Sequence, residues 1–217
     1  MSKDELSQVL NQRRRKAQAL LEEGVSLYPN NFRVEDHLAD IRNHCGGLDA
    51  EALARETRVF TVAGRIVAMR SFGQAAFVTL QDATARLQAY VKKDQVGEGL
   101  YRIFKRLDLG DLVGVTGTVF RTRTGELTLL ARDVRLITKS LRPLPEKWHG
   151  LTDTDTRFRH RAVDLAANGK VRDLFRVRAP FGRRPTGQGR GSRQSGMEGN
   201  LFTAWRSVSV SRWVYRA

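Results

Sequence analysis

The sequence predicts an α+β chain that is mainly β. It reads as a small five-stranded barrel in the order βββαββ, preceded by an N-terminal helical arm and followed by a disordered C-terminal tail. Three observations carry this. Across residues 59–137 apolar and polar side chains alternate with the period of two that sends strand residues to opposite faces. One apolar stripe at helical spacing interrupts that alternation between the third and fourth segments. Beyond Pro180 the composition shifts to Gly, Arg and Ser, with neither period up to Leu201.

The arm comes first. Ser2 and Glu5 stand at capping-box spacing, followed by Leu6, Val9, Leu10, Ala17, Leu20 and Leu21 at helical intervals. Gly24 then sits where a helix C-cap belongs. Tyr28-Pro29-Asn30-Asn31 is a turn. A second helix is expected over about 34–45, stopped by Gly46-Gly47, and a short third over about 49–55.

The strands follow. In the first, over about 59–69, Val62, Gly64 and Ile66 share a face and Arg65 points the other way. In the second, Ala76, Val78 and Leu80 oppose Phe77, Thr79 and Gln81; in the third, Leu87, Ala89 and Val91 oppose Arg86, Gln88 and Tyr90. Residues 94–109 carry Val96, Leu100, Ile103, Phe104 and Leu107 at helical spacing, as one helix plugging an end of the barrel would. A fourth strand over about 112–120, a turn at Thr122-Arg123-Thr124-Gly125 and a fifth strand over about 126–137 complete the set. This is the element order of the oligonucleotide-binding (OB) fold, whose binding surface is the face of strands two and three with two flanking loops.

The expected division of the chain is a helical arm over 1–56, an OB-fold domain over 57–139, a linker and following helical segment over 140–179, and the Gly/Arg/Ser-rich tail over 180–217. Pro143 and Pro145 favour an extended linker. Short helices are expected over about 155–166 and 170–178.

The formal net charge of +15 points to a polyanionic partner, and nucleic acid is the commonest one. The tail supplies +6 of it, with seven Arg against Glu198, so the rest of the chain is basic in its own right. A single cysteine, Cys45, excludes an internal disulfide and fits a reducing compartment. The N-terminus has no apolar run of the secretory kind, and no apolar stretch is long enough to span a bilayer. A cytoplasmic location is the expectation, with no membrane partner. His37, His44 beside Cys45, His149 and His160 do not stand at metal-ligand spacing, so no metal site is expected.

If the apolar strand faces form one core, Arg65, Phe77, Gln88 and Tyr90 share the opposite surface. A cation, two aromatic rings and a primary amide on one sheet can neutralise phosphate, stack a base and read a base edge. The run Arg13-Arg14-Arg15-Lys16 on the first helix is either a solvated face or an auxiliary contact to a nucleic-acid backbone.

Four segments carry a family resemblance: RRRKAQALLEEGVSLYP (13–29), VAGRIVAMRSFGQAAFVTLQD (62–82), LDLGDLVGVTGTVFRTRTGEL (107–127) and LRPLPEKWHGLTDTDTRFRHRAVDL (141–165). Over roughly 10–179 the chain resembles the N-terminal part of bacterial-type lysyl-tRNA synthetase, a class II aminoacyl-tRNA synthetase. The resemblance implies that the OB domain binds the anticodon stem-loop of lysine tRNA. It implies that Phe77 stacks on an anticodon base, that Arg65 and Gln88 contact the central uridine, and that Glu126 lies near the third anticodon base. A full-length synthetase subunit is a second implied partner, because the complete family is dimeric.

The complete family uses ATP and Mg in a larger C-terminal domain to form lysyl-adenylate. After Arg178 the expected apolar helix of the first class II motif is replaced by PFGRRPTGQGRGSRQSG, and Ala162 stands where the family has an aromatic residue. The expectation is a truncated lysine-tRNA ligase that lacks the catalytic motifs, is inactive alone and needs no cofactor of its own. A shifted reading frame would account for the change after Arg178. Gly187 to Arg193 resembles the glycine-rich turn of the third motif but lacks apolar neighbours, so no ATP site is expected there. Two alternatives remain at this stage: a general single-stranded nucleic-acid-binding OB protein, and an interaction module that docks on a full-length subunit.

Overall fold

The structure, a computed structural model, describes residues 3–143 and 154–179. It divides into two compact units, 1–144 and 145–217. The second half of the expected linker, the tail over 180–217 and its glycine-rich segment lie outside the described residues.

The first unit contains three helices, α1 (Lys3–Glu22), α2 (Leu38–Cys45) and α3 (Ala50–Arg55), ahead of the strands β1 (Phe60–Phe72), β2 (Ala75–Gln81) and β3 (Arg86–Lys92). Two short helices, α4 (Lys93–Val96) and α5 (Glu98–Phe104), lead to β4 (Leu112–Arg121) and β5 (Leu127–Thr138). The strands close into a barrel in the order β1-β2-β3-β5-β4. All pairings are antiparallel except β3 with β5, where Gln88 to Tyr90 run parallel to Thr128 to Leu130. Val62, Ile66, Val78, Leu80, Leu87, Ala89, Val91, Val113, Val115 and Leu129 fill the interior, and Tyr101 and Phe104 of α5 are buried against them. The Tyr101 hydroxyl, buried among apolar groups, donates to the Gly73 carbonyl at 3.1 Å.

Three elements of the first unit differ from expectation. The plug is two helices, because Gly97 adopts φ +83 and breaks the apolar stripe after Val96. Helix α2 starts at Leu38 because the preceding residues belong to the barrel edge. The amides of Glu35 and Asp36 donate to the Thr61 carbonyl, each at 3.1 Å, and the Asp36 carboxylate accepts from Arg58 and from the Thr61 amide. The first α2 amides, Leu38 and Ala39, are then capped by Asp82 and Thr84 of the β2–β3 turn at 2.9 and 3.1 Å. Third, β1 runs to Phe72, and a bulge between Ile66 and Ala68 reverses its facing. Met69 thereby packs against the core, while Arg70 and Phe72 turn outward.

Helix α1 is tied to the barrel by charge. Arg13, only 7% exposed, donates to the carbonyls of Leu109, Ser140 and Arg142 at 2.9, 3.0 and 3.3 Å. Lys139 is fully buried, and its ammonium donates to Asp108 and Asp111 at 2.6 and 2.7 Å. Lys16 of α1 reaches the other oxygen of Asp108, and the Ser140 amide donates to the other oxygen of Asp111 at 2.7 Å. Two cations and two carboxylates thus neutralise one another, Lys139 and Asp111 fully out of water and Lys16 and Asp108 at the edge of it. Burial pushes the Asp108 carboxyl up, but the hydrogen bonds and charges of Lys139 and Lys16 outweigh it and hold the group below its ordinary 3.8.

A lowered folded value has a definite sign. The stability contributed by Asp108 is fully present above its unfolded value and is lost as pH falls through the lower folded one. Denaturant unfolding of the chain at a series of pH values down to roughly 2 should show a shallower acid decline in Asp108→Asn than in the parent. Identical slopes would remove Asp108 from the acid response.

The second unit, described by itself, is three helices: α6 (Thr154–Arg159), α7 (Arg161–Ala167) and α8 (Gly169–Arg178). The single helix expected over about 155–166 is interrupted at His160. Buried Asp164 accepts from Arg157 at 3.2 Å and from Arg161 at 2.9 Å, and the Arg161 guanidinium lies over the rings of Phe158 and Phe175. Asn168 caps α8 by accepting from the Val171 amide.

Candidate nucleic-acid interface

The outward residues of β1, β2 and β3 form rows across the barrel surface, because paired strands in register bring their side chains side by side. One row is Arg65, Gln81 and Arg86; the next is Ala68, Thr79 and Gln88; the next is Arg70, Phe77 and Tyr90. Phe72 stands opposite Ala75, one row further. Gln88 continues its row to Thr128 of β5, which is opposite Phe120 of β4.

The aromatic residues meet. The rings of Phe77 and Tyr90 lie 4.7 Å apart at 34°, a direct cross-strand pair. Phe72 abuts Phe77 edge-on at 6.2 Å, and Phe120 abuts Tyr90 at 6.1 Å. Phe77 and Tyr90 are half-buried, so neither ring is wholly covered by the fold.

Two polar side chains on this face are held by the fold. Gln88 Nε2 donates to Thr128 Oγ1 at 3.0 Å, and Thr128 Oγ1 donates to the Glu126 carbonyl at 3.2 Å. The Gln88 amide is therefore coupled through Thr128 to the start of β5. Arg65 Nη1 donates to the Gly110 carbonyl at 2.6 Å. Burial pushes its guanidinium pKa down, and the Asp111 charge opposes that shift. Gly110 is itself tied to β1, donating to the Ile66 carbonyl at 2.8 Å. The buried Asp108/Asp111/Lys139 cluster thus lies under the loop that aims Arg65. The Glu126 side chain is exposed on the loop after β4.

That loop is fixed at its base. Arg121 donates to the carbonyls of Leu48, Gly46 and Gly125 at 2.8, 2.7 and 2.7 Å, joining the end of β4 to the segment between α2 and α3. Gly125, at φ +80, closes the turn with a 2.9 Å bond to the Thr122 carbonyl.

Phe77, Gln88 and Tyr90 share one patch on β2 and β3. Arg65 stands in the row of Gln81, four residues along β2 from Phe77, or about 13 Å. Of the four cations in the run 13–16 on α1, Arg13 and Lys16 are engaged inside the fold, while Arg14 and Arg15 are exposed. The sequence reading missed Arg70, Phe72 and Phe120. Counting back from the Gly73-Gln74 turn would have put Phe72 opposite Ala75 on the outer face.

Among the described residues no cluster of three or more His, Cys, Asp or Glu could hold a metal ion, and no helix is long and apolar enough to cross a membrane.

The model of the tRNA anti-codon family, an OB-fold nucleic acid binding domain, matches residues 60–137. Over 173 residues the chain is 49% identical to a lysine-tRNA ligase of Anaeromyxobacter sp. (strain K), covering 79% of this chain and 34% of the relative. It is 47% identical over 177 residues to the lysine-tRNA ligase of Yersinia enterocolitica, covering 81% and 35%. It is 44% identical over 174 residues to that of Chromobacterium violaceum, covering 80% and 34%. The chain thus spans about a third of the length of the curated relatives it matches. Its barrel belongs to the OB-fold nucleic acid binding family, and the matched four-fifths of the chain is homologous to about a third of a lysine-tRNA ligase.

Proposed function

We propose that the outer face of β2 and β3 binds the anticodon loop of lysine tRNA and serves as the recognition part of a lysine-tRNA ligase. The observation that carries this reading is the Phe77–Tyr90 ring pair, with Gln88 one row away and Arg65 further along the same surface. Phe77 stacks one anticodon base. Gln88, oriented by Thr128, and Arg65, oriented by Gly110, contact the edge of the central uridine. Glu126, exposed after the β4–β5 turn, faces the third base. Arg14 and Arg15 on α1 are the cations available for auxiliary contacts to the tRNA backbone.

In this reading the arm ends at 56, the binding domain spans 57–139, and the following segment starts at 140. Lysine attachment and its ATP and Mg are proposed for the complete ligase, as its name and the family resemblance imply. A cytoplasmic site of action is proposed on the single, buried, free Cys45.

The test is binding of the full chain to lysine tRNA, beside the same tRNA with its central uridine changed. A preference for the native anticodon is expected. Phe77→Ala should weaken native binding by about 1–3 kcal/mol, the value of one base stack. Equal affinity for both tRNAs at near-physiological salt, unchanged by Phe77→Ala, would favour a general single-strand binder held by charge.

A further inference from the structure

We infer that Arg13 of α1 is a positioning residue for Arg65, through which the helical arm sets how sharply the barrel distinguishes the central anticodon nucleotide. This rests on the proposed RNA-binding reading and deepens it, with a residue that is itself buried.

The chain of contacts is short. Arg13 Nη2 donates to the Leu109 carbonyl at 2.9 Å. That carbonyl and the Gly110 amide belong to one planar peptide group. The Gly110 amide donates to the Ile66 carbonyl at 2.8 Å, so the group is held at both ends, by α1 and by β1. The next peptide group carries the Gly110 carbonyl, which accepts from Arg65 Nη1 at 2.6 Å. The amide end of this second group, on Asp111, makes a longer 3.2 Å bond to the Asp108 carbonyl within the same loop. Between the two groups stands the Cα of Gly110, at φ +99. Glycine resists rotation least, so the direction of its carbonyl depends on what fixes the group before it.

Arg13 is suited to that task. Its guanidinium joins two separate segments, Leu109 before β4 and Ser140 and Arg142 after β5. A planar fork of donors bridges such a set, and a single ammonium does not. Lys16, three residues along the same helix face, reaches Asp108 in the same loop. The arm therefore grips residues 108 and 109 together, while its exposed neighbours Arg14 and Arg15 do not take part. Arg65 is half-buried and spends one N–H on Gly110, which leaves the rest of its rigid fork aimed by that one bond. Gln88 is oriented separately, through Thr128 on β5, so the two contacts to the base can be told apart.

The test uses the full chain and two lysine-tRNA anticodon stem-loops labelled for fluorescence anisotropy, one native and one with its central uridine replaced by cytidine. The quantity read is the preference, the ratio of the two affinities. Arg13→Gln should lower it roughly three- to tenfold, the coupling expected within one hydrogen-bond network. Arg14→Gln removes the same charge without touching the loop and should weaken both stem-loops alike, leaving the preference unchanged. In an Arg65→Gln background the part of the preference due to Gln88 remains, and Arg13→Gln should reduce it no further. Thermal melts establish which variants are folded at the assay temperature. If Arg13→Gln is not, Lys16→Gln at its partly exposed site takes its place, with a smaller fall in preference that also vanishes in the Arg65→Gln background. A folded arm variant that keeps the parent preference would overturn the inference and leave the interface standing. So would a loss as large in the Arg65→Gln background, or an equal loss in Arg14→Gln. A parent chain without preference, or one whose preference Arg65→Gln leaves intact, would instead bring down the reading of the site, and the inference with it.

Discussion

Lys139→Met is expected to destabilise the barrel by about 3–5 kcal/mol. The ammonium is fully buried and bonds both Asp108 and Asp111; Asp111 is itself fully buried. Removing the cation leaves Asp111 ionised out of water, with only the amides of Ser140 and Asp108 as donors. Truncating one partner of a buried pair costs more than the pair itself contributes, because the partner's desolvation is no longer offset. Denaturant unfolding of the full chain measures the loss. Combining Lys139→Met with Asp111→Asn should recover part of it, since the stranded charge is gone. A double variant as unstable as the sum of the singles would show that the two groups do not act together.

Gly117→Ala is the other large effect, at about 3 kcal/mol. A Cβ at Gly117 would stand 1.9 Å from the Leu130 carbonyl oxygen and 2.8 Å from its carbon. These are backbone atoms of the paired strand, beside the irregularity between Thr116 and Gly117 in the β4–β5 register, so no side-chain rotation relieves the clash. The paired strands β4 and β5 would have to separate there. Gly99→Ala is the control: α5 leaves open space at Gly99, and alanine suits a helix better than glycine. A thermal melt should show a marked fall for the first and none for the second. Equal melting temperatures would mean that the strand pair yields easily at Gly117.

Much of the barrel was legible because period-two alternation is local. Val62, Ala76, Val78, Leu80, Leu87, Ala89 and Val91 all face inward as the pattern required. That alternation also put Phe77, Gln88 and Tyr90 on one outer face. The reading failed where a tertiary contact decides the geometry. The β1 bulge carries no glycine or proline at Val67, so nothing local announces the reversal that brings Arg70 and Phe72 outward. The start of α2 is set by Asp82 and Thr84, more than forty residues away in sequence. Arg13 read as one of four equivalent cations, yet three carbonyls from beyond residue 108 bury it. Gly97 was visible, but whether a glycine interrupts an apolar stripe or rides within it depends on its φ, which composition does not report.

The three carbonyls gathered by Arg121 bear on how an RNA would be received. Because one guanidinium fastens the base of the β4–β5 loop to the helical arm, the loss of conformational freedom there occurs when the chain folds. An incoming strand then meets a surface already in its binding shape, with little ordering left for the encounter itself. Association of this kind is governed by collision and charge rather than by waiting for a rare open state.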